Sequence, residues 1–223
     1  MRKKLFSLLF ACVFFHFAFG QAAMSDSLQR VKDSTLRAII HADSVKVDKE
    51  FKDKAKWEKL KLIARYPAIN AGEYSGIIPV KDPTEIPDPN QDYKLLFELT
   101  ANNPDSLMKE ANAGLIEVAR VINLHVASGI SVKKIFPVII IHAGALNAIA
   151  TDTFYKKHFK MANPNLKLIG ELEKLGTKII ACGQAMAFFD IKKEDLLPEI
   201  KVSLTAQTVL TNYQLKGYVW MSK

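Results

Sequence analysis

Cysteine is scarce in this chain of 223 residues, which holds only Cys12 and Cys182. Cys12 falls in an N-terminal stretch that reads as a leader. Cys182 is then the one thiol of the mature chain, and an internal disulfide is excluded. A lone thiol also excludes a CxxC redox pair and a Cys/His zinc cluster. The chain has no GxGxxG, no P-loop, no GxSxG elbow and no HExxH, so dinucleotide, nucleoside triphosphate, serine-hydrolase and zinc-protease chemistries lose their usual carriers. No cofactor and no metal is expected. Beyond residue 20 no apolar run approaches the ~18 residues of a membrane span. Basic residues do not gather into an arginine-rich, aromatic-interleaved patch, so no nucleic-acid partner is expected.

Residues 1–20 carry a different signal. Arg2, Lys3 and Lys4 precede the apolar run Leu5–Phe19, and Ala18-Phe19-Gly20 offers small residues at a cleavage site. This is the pattern of a secretory signal peptide, with Gln21 as mature N-terminus and the periplasm as destination. Leu9-Phe10-Ala11-Cys12 departs from a lipobox through bulky Phe10, so a lipid anchor at Cys12 is not expected. Loss of three basic residues and no acids lowers the formal charge from +8 to +5. A free cysteine in an exported chain points to intermolecular pairing or a reactive thiol.

Three further regions follow. Residues 21–66 have apolar positions at helical spacing among many charges and read as an amphipathic helical extension, with a break expected near 44–49. Residues 67–92 hold Pro67, Pro79, Pro83, Pro87 and Pro89 with Gly72 and Gly76, a connector that no helix survives. Ile77–Val80 offers a short edge strand within it. From residue 93 to 223 strands and helices alternate. Strands are expected at Tyr93–Leu99, Phe136–Ile141, Thr177–Ala181, Ile200–Leu204 and Gly217–Met221. Helices are expected from Asn103-Pro104-Asp105 to Val126, over Asn163–Leu175, from Gln184 to Phe189 and over Ala206–Leu215. That alternation predicts an α/β domain with a mainly parallel sheet.

Chemistry gathers at the strand ends. If the sheet is parallel, the ends after Leu99, Ile141 and Ala181 share one edge, where ligands bind in such folds. His142 then comes within reach of Cys182, and a histidine base raises the thiolate fraction of a cysteine. Gly144 permits a close ligand approach, Asn147 and Gln184 offer amide donors, and the N–H groups of Gly183 and Gln184 open a helix towards an anion. The plain alternative leaves Cys182 as a buried small apolar residue and His142 as a strand-end histidine bonded to a carbonyl. A Cys–His hydrolase would need a third, orienting residue, and none is visible. His125 and His158 read as helix-face histidines.

As a set, His142-Ala143-Gly144, Asn163-Pro164-Asn165, Leu175-Gly176, Ile180-Ala181-Cys182-Gly183-Gln184, Val202–Thr205 and Gly217-Tyr218 resemble the DsrE/DsrF-like family of sulfur-relay proteins over residues 93–221. The resemblance implies a three-layer α/β/α sandwich around a five-stranded parallel sheet, and assembly into homo-oligomers, trimers or hexamers. It also implies that Cys182 accepts sulfane sulfur as a persulfide and passes it to a thiol of an acceptor protein. His142 matches a recurrent His-Gly-type motif, here with Ala143 inserted. The expected function is an exported persulfide carrier, more carrier than enzyme. The alternative is a non-catalytic oligomeric module of the same fold that binds a small ligand.

Overall fold

The computed structural model describes residues 3–105 and 108–221, with side chains from residue 29 onward. The side chains on which the leader reading rests, and Leu107, lie outside the described residues. Two compact units divide the chain, one up to Lys59 and one from Leu60.

The first unit is helical. Helix α1 (Lys3–Lys61) runs through 44–49 without the expected break. Residues 44–49 lose apolar periodicity but contain no proline or glycine, and polar side chains alone do not interrupt a helical backbone. Among the described residues no helix is long and apolar enough to cross a membrane.

The second unit is built on a five-stranded sheet. Its strands are β1 (Tyr93–Leu99), β2 (Ile135–Ile141), β3 (Lys178–Cys182), β4 (Lys201–Ser203) and β5 (Val219–Trp220). They lie in the order β4-β3-β2-β1-β5, and every pairing is parallel. β2 is central and, apart from Phe136, buried along its length, as a strand covered on both faces must be. Odd positions of β1 and β2, such as Leu95, Phe97, Ile139 and Ile141, pack beneath helices α2 (Ala113–Ala127) and α4 (Leu166–Lys174). Even positions, Leu96, Val138 and Ile140, join Ile180 and Cys182 beneath Ala206 and Leu210. Those last two belong to helix α6 (Ala206–Leu215). The result is the expected α/β/α sandwich.

Between β2 and β3 lie a 3₁₀ turn (Ala143–Ile149) and helix α3 (Asp152–Phe159), and helix α5 (Gly183–Phe188) follows β3 directly. Helix α2 starts later than Asn103-Pro104 suggests. Asn112 is its cap, the side chain accepting from the N–H of Gly114. Asn103 instead braces that start from outside, accepting from the Ala113 N–H and donating to the Glu110 and Ala111 carbonyls. Ile77–Val80 forms no strand, only an antiparallel bridge between Ile77 and Arg65.

Buried asparagines tie the connections together. Asn163 donates to the Ala148 and Ala150 carbonyls and accepts from Asn165. Asn165 in turn accepts from the N–H of Asn112 at 2.6 Å, and the Asn112 amide donates to the Ala101 carbonyl. Asn123, wholly buried on α2, clamps the connector. Its oxygen accepts from the N–H groups of Ala68 and Ile69, and its amide donates to the carbonyls of Ile69 and Ser75.

Candidate functional site at the carboxyl edge of the sheet

Because the strands are parallel, β1, β2 and β3 all deliver their last residues to one edge, and α6 begins there. Strand alternation decides which side chains share a face. Glu98 lies two beyond Leu96. His142 lies two beyond Ile140 and keeps the extended backbone of the strand (φ −148°). Cys182 lies two beyond Ile180. All three therefore project to the face that α6 covers. Register sets their order: Glu98 pairs with Ile140, and Ile141 pairs with Ala181, so His142 comes next to Cys182. Neighbouring strands stand about 4.8 Å apart, so the sheet presents a row of Glu98, His142 and Cys182 across its three inner strands.

The contacts within that row are uneven. His142 Nε2 is 2.8 Å from Glu98 Oε1, each side chain about a quarter exposed. Among the described residues no hydrogen bond joins His142 to Cys182. The sulfur has a different partner, the backbone N–H of Ala206 at 3.2 Å. Ala206 opens α6, whose cap residue Thr205 makes no side-chain cap bond. Cys182 Sγ thus accepts from one of the free N–H groups of the first turn, at the end of the helix where partial positive charge gathers.

The other expected ligand residues serve the edge itself. The Gly183 backbone is pressed against the end of β4, where an added Cβ would lie 2.6 Å from the Ser203 carbonyl oxygen. The Gln184 N–H donates to the Leu204 carbonyl, while its side chain is exposed. The backbone donor expected from Gln184 is therefore spent on Leu204, and the donor on the sulfur is the N–H of Ala206. Gly144 rests beside Asn102. Asn147 donates back to the Gly144 carbonyl at 3.2 Å, closing the turn that follows His142. That turn is fastened to β1 by the N–H of His142 on the Leu99 carbonyl and the N–H of Ala145 on the Thr100 carbonyl. His125 and His158 take helix-face places, edge-on to Tyr93 and stacked on Phe154.

Cys182 is 4% exposed, paired with Ser203 of β4 and packed with Ile180, Ala206 and Leu210. Phe188 on α5 and Leu204 after β4 are exposed apolar residues, 83% and 77% open. Among the described residues no three His, Cys, Asp or Glu side chains gather for a metal ion.

Sequence reading missed Glu98 and Ala206. Glu98 carried a signal: in Tyr-Lys-Leu-Leu-Phe-Glu-Leu it is the only charge in the inner part of a buried strand, one residue from its carboxyl end. Ala206 carried none, since any residue but proline at the start of α6 would present the same N–H.

A parallel five-stranded sandwich with a lone cysteine at the carboxyl edge, held by a helix N-terminus, defines a thiol-bearing α/β protein. The DsrE/DsrF-like family pattern matches residues 94–222, and the chain belongs to that family. A protein of unknown function from Methanobacterium thermoautotrophicum has a similar solved structure, with 17% sequence identity and a TM-score of 0.43. The match covers 58% of this chain and 98% of that one. No curated protein matches the chain.

Proposed function

We propose that Cys182 receives sulfane sulfur as a persulfide and hands it to an acceptor thiol. The observation that carries this reading is the Ala206 N–H on Cys182 Sγ at the head of α6. Such a donor stabilises negative charge on sulfur, whether thiolate or persulfide. In the first step Cys182 gives up its proton, and the thiolate attacks the outer sulfur of a persulfide R–S–SH. The S–S bond of the donor breaks, R–S⁻ leaves and takes up the proton as R–SH, and Cys182–S–SH remains. An acceptor thiolate then takes the outer sulfur by the same displacement and restores the Cys182 thiol. No net oxidant is consumed. Export by residues 1–20 and self-association belong to the same proposal, supported by the leader-like sequence and by membership of the family.

Burial of the thiol favours a second reading, a non-catalytic module that uses the edge to hold a small ligand. Intact-mass measurement of the protein before and after inorganic polysulfide, beside Cys182→Ser, separates the two. The carrier gains the mass of one sulfur atom, loses it to reductant and shows no gain in the variant. An unmodified protein whose thiol also resists alkylation leaves the binding module.

A further inference from the structure

The proposed transfer needs a base for the Cys182 proton, and Glu98 bears on what that base is. The carboxylate reaches the face beneath α6 and lies 2.8 Å from His142 Nε2. Residue Glu98 also lines a cavity of about 250 Å³, whose other titratable lining residues are Glu117, Arg120 and His125. Arg120 is engaged elsewhere, holding both Glu117 oxygens at 2.6 and 2.7 Å, and the Glu117 bond raises its pKa. His125 Nδ1 lies on the Val121 carbonyl. His142 is therefore the polar partner of the Glu98 side chain.

The geometry points to Glu98 as a positioning residue: its carboxylate keeps the proton of His142 on Nε2, leaving Nδ1 as the base beside Cys182. An imidazole with one nitrogen donating to a carboxylate has its tautomer set by that bond. The proton of Cys182 passes to Nδ1 and makes an imidazolium whose Nε2–H faces a negative charge. It passes next to the leaving thiolate R–S⁻ as R–SH departs, and His142 returns to its neutral form. The row of Glu98, His142 and Cys182 on three adjacent strands supplies the orienting group that the sequence did not reveal. This inference rests on Cys182 being the reacting thiol.

The test is alkylation of Cys182 by iodoacetamide in the full chain at neutral pH, followed by intact mass. Glu98→Ala lowers the rate roughly tenfold, the low end for loss of an orienting partner. His142→Ala lowers it to a similar extent, and the double variant is no slower than His142→Ala alone, as two residues acting through one base require. Nitrogen-15 spectra show His142 protonated at Nε2 in the parent chain and a tautomer mixture in Glu98→Ala, a change that mere loss of packing does not produce. Should Glu98→Ala fail to fold, Glu98→Gln is read by the same rate and spectral criteria. Wild-type alkylation rates in these variants, or effects that multiply in the double variant, overturn the assignment. Sulfur loading with no Glu98 effect removes this role and leaves the carrier. A Glu98 effect without sulfur loading supports the role and removes the carrier. A parent thiol inert to iodoacetamide overturns both.

Discussion

Gly183 shows how a single missing methyl group positions the site. The Ser203 carbonyl occupies the space where its Cβ would stand, 2.6 Å away, and backbone cannot yield as a flexible side chain does. Gly183→Ala is expected to cost roughly 1–3 kcal/mol in urea denaturation, as overpacking does, and to loosen the Ala206 bond to the sulfur. Gly144→Ala meets Asn102 only at 3.4 Å, so a much smaller loss is expected in the same measurement. Residues of this kind were partly legible. Cys182 and His142 stood out because a thiol and an imidazole are rare at strand ends. Gly183 was noticed as an anion donor and not for its close approach to β4, because a one-dimensional reading does not show which backbone passes close by.

At the scale of elements, apolar runs and alternation located all five strands to within a few residues. A buried parallel strand needs little more than a run of Val, Ile and Leu. The helix starts were harder. Asn103-Pro104 and Asn112 both carry capping chemistry, and the choice between them is made by Asn165, more than fifty residues away, which accepts from the N–H of Asn112. The same holds for Asn123, whose place in the α2 stripe hides its four bonds to the connector. Asn123→Ala leaves buried main-chain groups without partners, each worth about 1–3 kcal/mol. A loss of about 3 kcal/mol by urea denaturation is expected, together with faster amide exchange at Ala68 and Ile69.

Over the whole molecule, two carboxyl groups set opposite pH trends. The Lys156 ammonium, and then the Asn163 N–H, hold Asp152 below the usual carboxylate range. Its contribution is present at neutral pH and is lost as pH falls through the lowered value. Glu173 is pushed up, first by burial and then by Glu199. Its neutral form suits the fold, so stability is fully present below the ordinary glutamate value and declines as pH rises through the raised one. Glu173→Gln is expected to raise Tm at pH 7 by about 1–2 °C, the scale of a partly exposed charge contact in a chain of this size. Near pH 4 the gain should vanish. Calorimetry at the two pH values checks both signs. The sequence could not show this pair, because α4 and the approach to β4 meet only once folded.

The Asn123 clamp separates two boundaries that are easily taken for one. Kinship with the family begins at residue 94. The stretch packed into the sandwich begins some thirty residues earlier, because Ile69 and Ile77 are core residues and Asn123 makes all its side-chain hydrogen bonds to residues 68–75. A chain trimmed to start at Asp92 would bare an apolar flank of α2 beside an unsatisfied amide, and it should precipitate or melt at ambient temperature. One trimmed to Leu60 should unfold cooperatively. The stretch that carries the family pattern is smaller than the stretch that packs, since Ile69, Ser75 and Ile77 are buried ahead of it.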